Sequence, residues 1–169
     1  MTLDYTAAVT EETATTHRME APMPHAAHHI TADDMRAAGW EVMQDDGFID
    51  LVGPMWHRQI EGVHEYAIIA EGKHRNRRGL VQGGLLMTLA DRSSGMAARL
   101  ASGSDNLATV QMDTHFIDAG RIGDLLVSRP RVVRSTKSLV FTSTELSVDG
   151  RCIILAHGVF KIVAPRSRH

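Results

Sequence analysis

Two glycines and a carboxylate are spaced along one stretch of this sequence in a way that could handle a carbonyl group. Gly83 and Gly84 open a run without proline, and Asp91 follows seven residues after Gly84. If the run is helical, its first N–H groups lack intrahelical acceptors and carry partial positive charge, and glycine lets a ligand come close to them. That suits a carbonyl oxygen turning into an oxyanion. The same pair also suits a tight strand-to-helix turn with no chemical duty. Asp91 sits in the apolar run Leu89-Ala90-Asp91, where aspartate is a poor helix former and burial of its charge is costly. It fits a base that activates water, and equally a solvated or capping carboxylate. Seven residues make about two turns, so Asp91 shares a face with Gly84 but lies about 10 Å farther along the axis. Reacting atoms must come within about 3–3.5 Å, which puts a carbonyl at the helix start out of reach of Asp91 in the same chain. A second copy of the helix running past the first closes that gap, and a two-fold dimer then holds two shared sites.

The helix that must carry these residues spans positions 83–101. It has Thr88 as its one β-branched residue, and Leu86, Leu89, Ser93, Met96, Ala97 and Leu100 recur at three- and four-residue spacing. Upstream, residues 48–52 and 66–70 read as two short strands separated by a polar connection around Gly53, Pro54 and Gly62. Earlier still, Thr31 as N-cap with Asp33 and Asp34 in the first turn predicts a short helix ending near Gly39. After the long helix the period changes to two: Val110, Met112, Thr114 and Phe116 alternate with Gln111, Asp113 and His115. Residues 124–134 and 138–148 flank a tight connection at 135–137, and Asp149-Gly150 is a hairpin turn into 152–163. Pro130 cannot donate to a ladder, so its strand is at an edge or bulged there. Two strands, one long helix and three or four hairpin-joined strands make an α+β domain with an antiparallel sheet. One helix cannot cover both faces of such a sheet. A strongly curved sheet can enclose it, leaving the other face or an edge for a second subunit.

At 169 residues the chain has room for one domain with a real core. We expect that domain over residues 30–169 and a flexible tail over 1–29, where Thr, Ala, Glu, His and Met follow no apolar period. The tail histidines His25, His28 and His29 lack the rigid support a metal site needs. With 43% hydrophobic and 22% charged residues and a net charge of -2, the composition points to neither a nucleic-acid nor a membrane partner. The short basic run from Lys73 to Arg78 has no interleaved aromatics to stack bases. A single cysteine, Cys152, leaves no intramolecular disulfide and no Cys-x-x-Cys site. With no basic-then-apolar start and no long apolar run, a reducing, cytoplasmic setting is the expectation. His57, His64, His115 and His157 show no metal-ligand spacing, and the glycines fit neither a dinucleotide fingerprint nor a Walker loop.

The stretch Asn76-Arg77-Arg78-Gly79-Leu80-Val81-Gln82-Gly83-Gly84, followed by Leu89-Ala90-Asp91, resembles the PaaI-like branch of hotdog-fold acyl-CoA thioesterases. That family's pattern is Asn, a few residues, Gly, then His-Gly-Gly and a helix with Leu-Ala-Asp. Ala108 to Met112, Phe116, Gly123-Asp124 and Arg131 to Arg134 are also similar to the family, so the likeness covers about residues 48–163. The resemblance implies a hotdog fold, a curved antiparallel sheet around one central helix, working as a dimer or a dimer of dimers. It implies acyl-CoA as substrate, with no separate cofactor because coenzyme A is part of the substrate, and no metal. Asp91 would activate water or attack directly, the Gly83 N–H with Gly84 beside it would polarise the thioester carbonyl, Asn76 would place water or substrate, and Thr109 would partner the carboxylate. Gln82 stands where the family has histidine, and glutamine holds no proton near neutral pH. For substrate binding the resemblance points to Gln82, Gly84 and a phosphate-binding rim of Arg77, Arg78, Arg134 and Lys137, while His74, two residues before Asn76, fits either the pocket mouth or a plain strand end.

Overall fold

The structure, a computed structural model, describes residues 30–163. The expected tail over 1–29, with the clustered His25, His28 and His29, lies outside that range. The described chain runs α1 (Ala32–Ala37), β1 (Glu41–Val42), α2 (Gly47–Val52), β2 (Trp56–Ile60), β3 (Val63–Ile69), a 3-10 turn at Gly72–His74 and α3 (Gly83–Ser102). Four long strands follow: β4 (Leu107–Phe116), β5 (Leu125–Ser135), β6 (Leu139–Val148) and β7 (Arg151–Ile162). All seven strands form one antiparallel sheet in the order β1-β2-β3-β5-β6-β7-β4. The sheet wraps α3, which packs against β3, β4, β5, β6 and β7. This is the hotdog arrangement.

The core forms where the inward stripe of α3 meets the sheet. Leu85, Leu86, Leu89 and Ala90 of the helix lie against Tyr66, Ile68, Leu126, Leu146 and Ile154, and Leu89 and Ala90 are fully buried. Two hydroxyl pairs join helix to sheet inside this apolar contact: Ser93 Oγ to Ser128 Oγ at 2.7 Å, and Ser94 Oγ to Thr144 Oγ1 at 2.6 Å. Both serines are fully buried, so each hydroxyl satisfies the other where no water reaches.

Residues 48–52 are not the strand the sequence suggests. They form α2, with Asp46 as N-cap, and Ile49 and Val52 turn inward at a three-residue spacing while Phe48 and Leu51 stay exposed. The strand in this region is β2, read from sequence as part of a polar connection. It pairs with β3 across a tight turn at Glu61 and Gly62, both with positive φ, as the two-residue hairpin that best matches strand twist requires. Pro130 pairs with Thr144 of β6 on one side, while the β3 pairing ends at Ser128, so the proline stands on a free edge.

Candidate active site

α3 starts cleanly because Gln82, in an extended conformation, takes its own N–H to His74 O at 2.8 Å and accepts from Leu85 N and Leu86 N. The Gly83 and Gly84 N–H groups have no acceptor among the described residues, as the first turn of any helix dictates. Glycine at 83 is required by closeness rather than by backbone conformation: a Cβ there would lie 3.1 Å from Phe116 Cε1. The Phe116 ring, at the end of β4, lies against the helix start.

The loop before α3 is stapled by Asn76. Its Oδ1 accepts from Arg78 N at 2.8 Å and Leu80 N at 3.2 Å, and its Nδ2 donates to Val81 O at 3.4 Å. His74 is 5% exposed and engaged at both ring nitrogens, with Nδ1 accepting from Glu71 N at 2.9 Å and Nε2 donating to Val52 O at 2.7 Å. Burial, helped by the Lys73 charge, pushes its imidazole below the ordinary histidine range despite the Val52 bond. With both ring nitrogens bonded to backbone, His74 fixes the loop before α3 against the end of α2. Gln82, by contrast, is exposed, with no side-chain partner among the described residues.

Asp91 lies partly buried on the open side of α3, and the Thr109 hydroxyl of β4 donates to its Oδ1 at 2.9 Å. Two open clefts meet at this pair. One, of about 530 Å³, has mostly apolar walls: Phe48 and Ile49 of α2, Met87 and Arg92 of α3, and Thr109 and Met112 of β4. The other, of about 200 Å³, is polar and runs past Arg92, Arg99 and Asp105. Arg92 borders both, and its guanidinium is ion-paired with Asp45, just ahead of α2. Behind it the Tyr66 phenol is pushed up by burial, against the pull of the Arg92 charge.

The structure therefore brings Asp91 and Thr109 together, and keeps Gly83 and Gly84 on the same helix about two turns away. Arg77, Arg78, Arg134 and Lys137 are exposed, the first pair on the loop before α3 and the second at the β5–β6 connection, and none lines the clefts beside Asp91. Met87 of α3 lines the apolar cleft, whereas Met96 packs into the main core. Sequence reasoning missed Asp45, Phe48, Ile49, Arg92 and Met112. The arginine directly after Asp91, on an otherwise small and apolar face, was the signal for that group. Among the described residues, no three His, Cys, Asp or Glu side chains are placed to hold a metal ion, and no helix is long and apolar enough to cross a membrane.

Comparison with known proteins agrees with the fold. The thioesterase superfamily profile matches residues 78–151, from the loop after Asn76 through α3 to the start of β7. A Pseudomonas aeruginosa protein that carries the name of an esterase is 33% identical over 116 residues, 68% of this chain and 87% of that one. Human acyl-coenzyme A thioesterase 13 is 30% identical over 88 residues, which cover 52% of this chain and 63% of the human protein. The N33D form of the phenylacetic acid degradation protein PaaI from Thermus thermophilus shares the fold with a TM-score of 0.62 at 18% identity, covering 70% of this chain and all of that one (100%). With a relative aligned over most of its length and the superfamily profile lying across the glycine pair and Asp91, the chain belongs to the thioesterase superfamily and has its hotdog fold.

Proposed function

We propose that the protein hydrolyses the thioester of a small acyl- or aryl-coenzyme A, with Asp91 of one chain activating water and the α3 N-terminal N–H groups of a second chain polarising the carbonyl. The observation that carries this reading is the Asp91 carboxylate, bonded by Thr109 where an apolar and a polar cleft meet. The apolar cleft suits the acyl group, and the name of the human relative supports coenzyme A as its carrier. In the reaction, water oxygen bonds to the carbonyl carbon while Asp91 takes a water proton. The oxyanion so formed faces the Gly83 and Gly84 N–H groups. Its collapse breaks the carbon–sulfur bond, and the thiolate leaves without a strong acid to protonate it.

The second chain enters through β4. This strand is the sheet edge, and Ala108, Thr109, Val110 and Gln111 are exposed along it, with Val110 60% and Phe116 54% exposed. An edge this long and apolar calls for a cover, and a second β4 would supply one while carrying the partner's glycines towards Asp91. Arg77, Arg78, Arg134 and Lys137 are free to meet the phosphates of coenzyme A. The single, partly buried Cys152 is at ease in a reducing cytoplasm.

Gln82 favours a second reading, a protein that binds acyl-coenzyme A without rapid turnover, because its exposed amide cannot hold a proton where the family has histidine. Release of free thiol from a panel of acyl- and aryl-coenzyme A substrates separates the two. Turnover by the wild type that is lost in Asp91→Ala supports the hydrolase. Saturable binding without turnover, with activity gained in Gln82→His, supports the binder instead.

A further inference from the structure

Arg92 follows the proposed base in sequence and lines both clefts with it, yet its guanidinium is held by Asp45. Asp45 lies just ahead of α2, a six-residue helix with no buried residue, whose N-cap Asp46 makes no side-chain cap bond. A helix this short has no stability of its own, so its place is set by tethers. At its C-terminal end, His74 Nε2 donates to Val52 O at 2.7 Å and Lys73 Nζ to Gly53 O at 2.5 Å. At its N-terminal end the tether is the Asp45–Arg92 ion pair. The pair is poorly satisfied for its burial: the Asp45 side chain is 10% exposed, and Asp45 Oδ2 and Arg92 Nε are buried without a partner. A buried ion pair with such loose ends stabilises less than well-packed apolar residues of similar size. Placement accounts for it better than stability does.

We propose that the Asp45–Arg92 pair is a positioning clamp that holds α2 across the apolar cleft and so limits the length of acyl chain the site accepts. This rests on the acyl-coenzyme A reading above and adds what sets its substrate range. Phe48 and Ile49 are the α2 side chains in the cleft, across from Met87 and Met112. With the clamp closed they form a wall that a compact acyl or aryl group fits beneath. With it open, α2 pivots on its His74 and Lys73 tethers and the cleft lengthens.

The test uses the full chain, as wild type, Asp45→Asn, Arg92→Lys, Arg92→Gln and the charge swap Asp45→Arg with Arg92→Asp. For each, kcat and KM are measured on straight-chain acyl-coenzyme A substrates from acetyl to decanoyl and on benzoyl-coenzyme A. Dissociation constants of the matching non-hydrolysable thioethers are measured alongside. The expected result is a chain-length cut-off in the wild type that moves to longer chains in Asp45→Asn and Arg92→Gln. KM and thioether affinity should improve by about fourfold for each methylene newly taken up. Arg92→Lys and the charge swap should keep the wild-type cut-off. Identical length profiles in wild type and in folded Asp45→Asn would overturn the clamp. If Asp45→Asn does not fold, the contrast between Arg92→Lys and Arg92→Gln decides in the same way. Absence of turnover in every chain would defeat the hydrolase reading alone, since the thioether affinities still read the clamp.

Discussion

Replacing Asp91 with asparagine removes the base and keeps its shape. The carbonyl oxygen of the substituted amide can still accept from Thr109, whose hydroxyl lies 2.9 Å from the Asp91 Oδ1, so the variant should melt within about 2 °C of the wild type, as a surface substitution does. Loss of a positioned general base lowers kcat by about a hundredfold to ten-thousandfold, and we expect that fall in thiol release under substrate saturation. Thr109→Val then tests whether the hydroxyl acts through the carboxylate. The bond joins a charged acceptor to an exposed donor, so its loss is set at about 1 kcal/mol, a factor of about five in rate. In the Asp91→Asn background the same Thr109 substitution should change the rate by less than about twofold, because a group that acts only through Asp91 has nothing left to act on. Turnover of Asp91→Asn within tenfold of wild type would refute the assignment of Asp91 as base. A full fivefold loss from Thr109→Val in both backgrounds would refute the coupling.

Gly83→Ala should drive its methyl against Phe116 and lower kcat/KM by at least about tenfold, with part of the loss restored by Phe116→Leu in the same chain. Val110→Arg, on the exposed β4 edge, should give a monomer by sedimentation and abolish turnover; a fully active monomer would defeat the shared-site reading. Glu65 is held below the ordinary carboxylate range because the bonds and charges of Arg58 and Arg129 outweigh its burial. The stability this contributes is present above the unfolded pKa and is lost as pH falls through the lower folded value. Glu65→Gln should therefore lower the melting temperature by about 4–8 °C near pH 7, for a loss of about 2 kcal/mol, and flatten the acid limb. Burial depresses both His74 and His57, the latter also through the charge of His64, so the unfolded chain binds more protons than the folded one just below about pH 6.5. Melting temperature should rise with pH through that window, and less steeply in His74→Gln.

The long helix was legible because fifteen and more residues at a 3.6-residue period outvote any single misleading one, and the hairpin strands because Asp149-Gly150 punctuates two clear alternations. Residues 48–52 were misread because Phe, Ile, Leu and Val favour strands wherever burial is undecided. The inward pair Ile49 and Val52, three apart behind the N-cap Asp46, is visible as helical only once the core is known. β2 was missed because its middle residues are polar. Its partners are cross-strand: His57 Nε2 meets His64 Nδ1 at 2.9 Å, and Arg58 Nε donates to Glu65 Oε2 at 2.7 Å, pairings that no single strand displays. The site divides in the same way. Asp91 and the glycines are local features of one helix, readable along the chain, whereas the Asp45–Arg92 pair links positions 47 residues apart.

The buried hydroxyl pairs of α3 act on the helix as a key acts on a shaft. A rotation of one residue, about 100°, would break both pairs as they stand, leaving at least one of the two serines without its hydroxyl partner, and Asp91, about a half-turn earlier, would swing away from Thr109. The orientation of the carboxylate is thus locked from behind, by contacts that no ligand touches. The wall of the acyl cleft is fastened separately, through a short surface helix held at its ends. Substitutions in α2 or its tethers can therefore change which groups the cleft admits while the reacting geometry on α3 stays fixed.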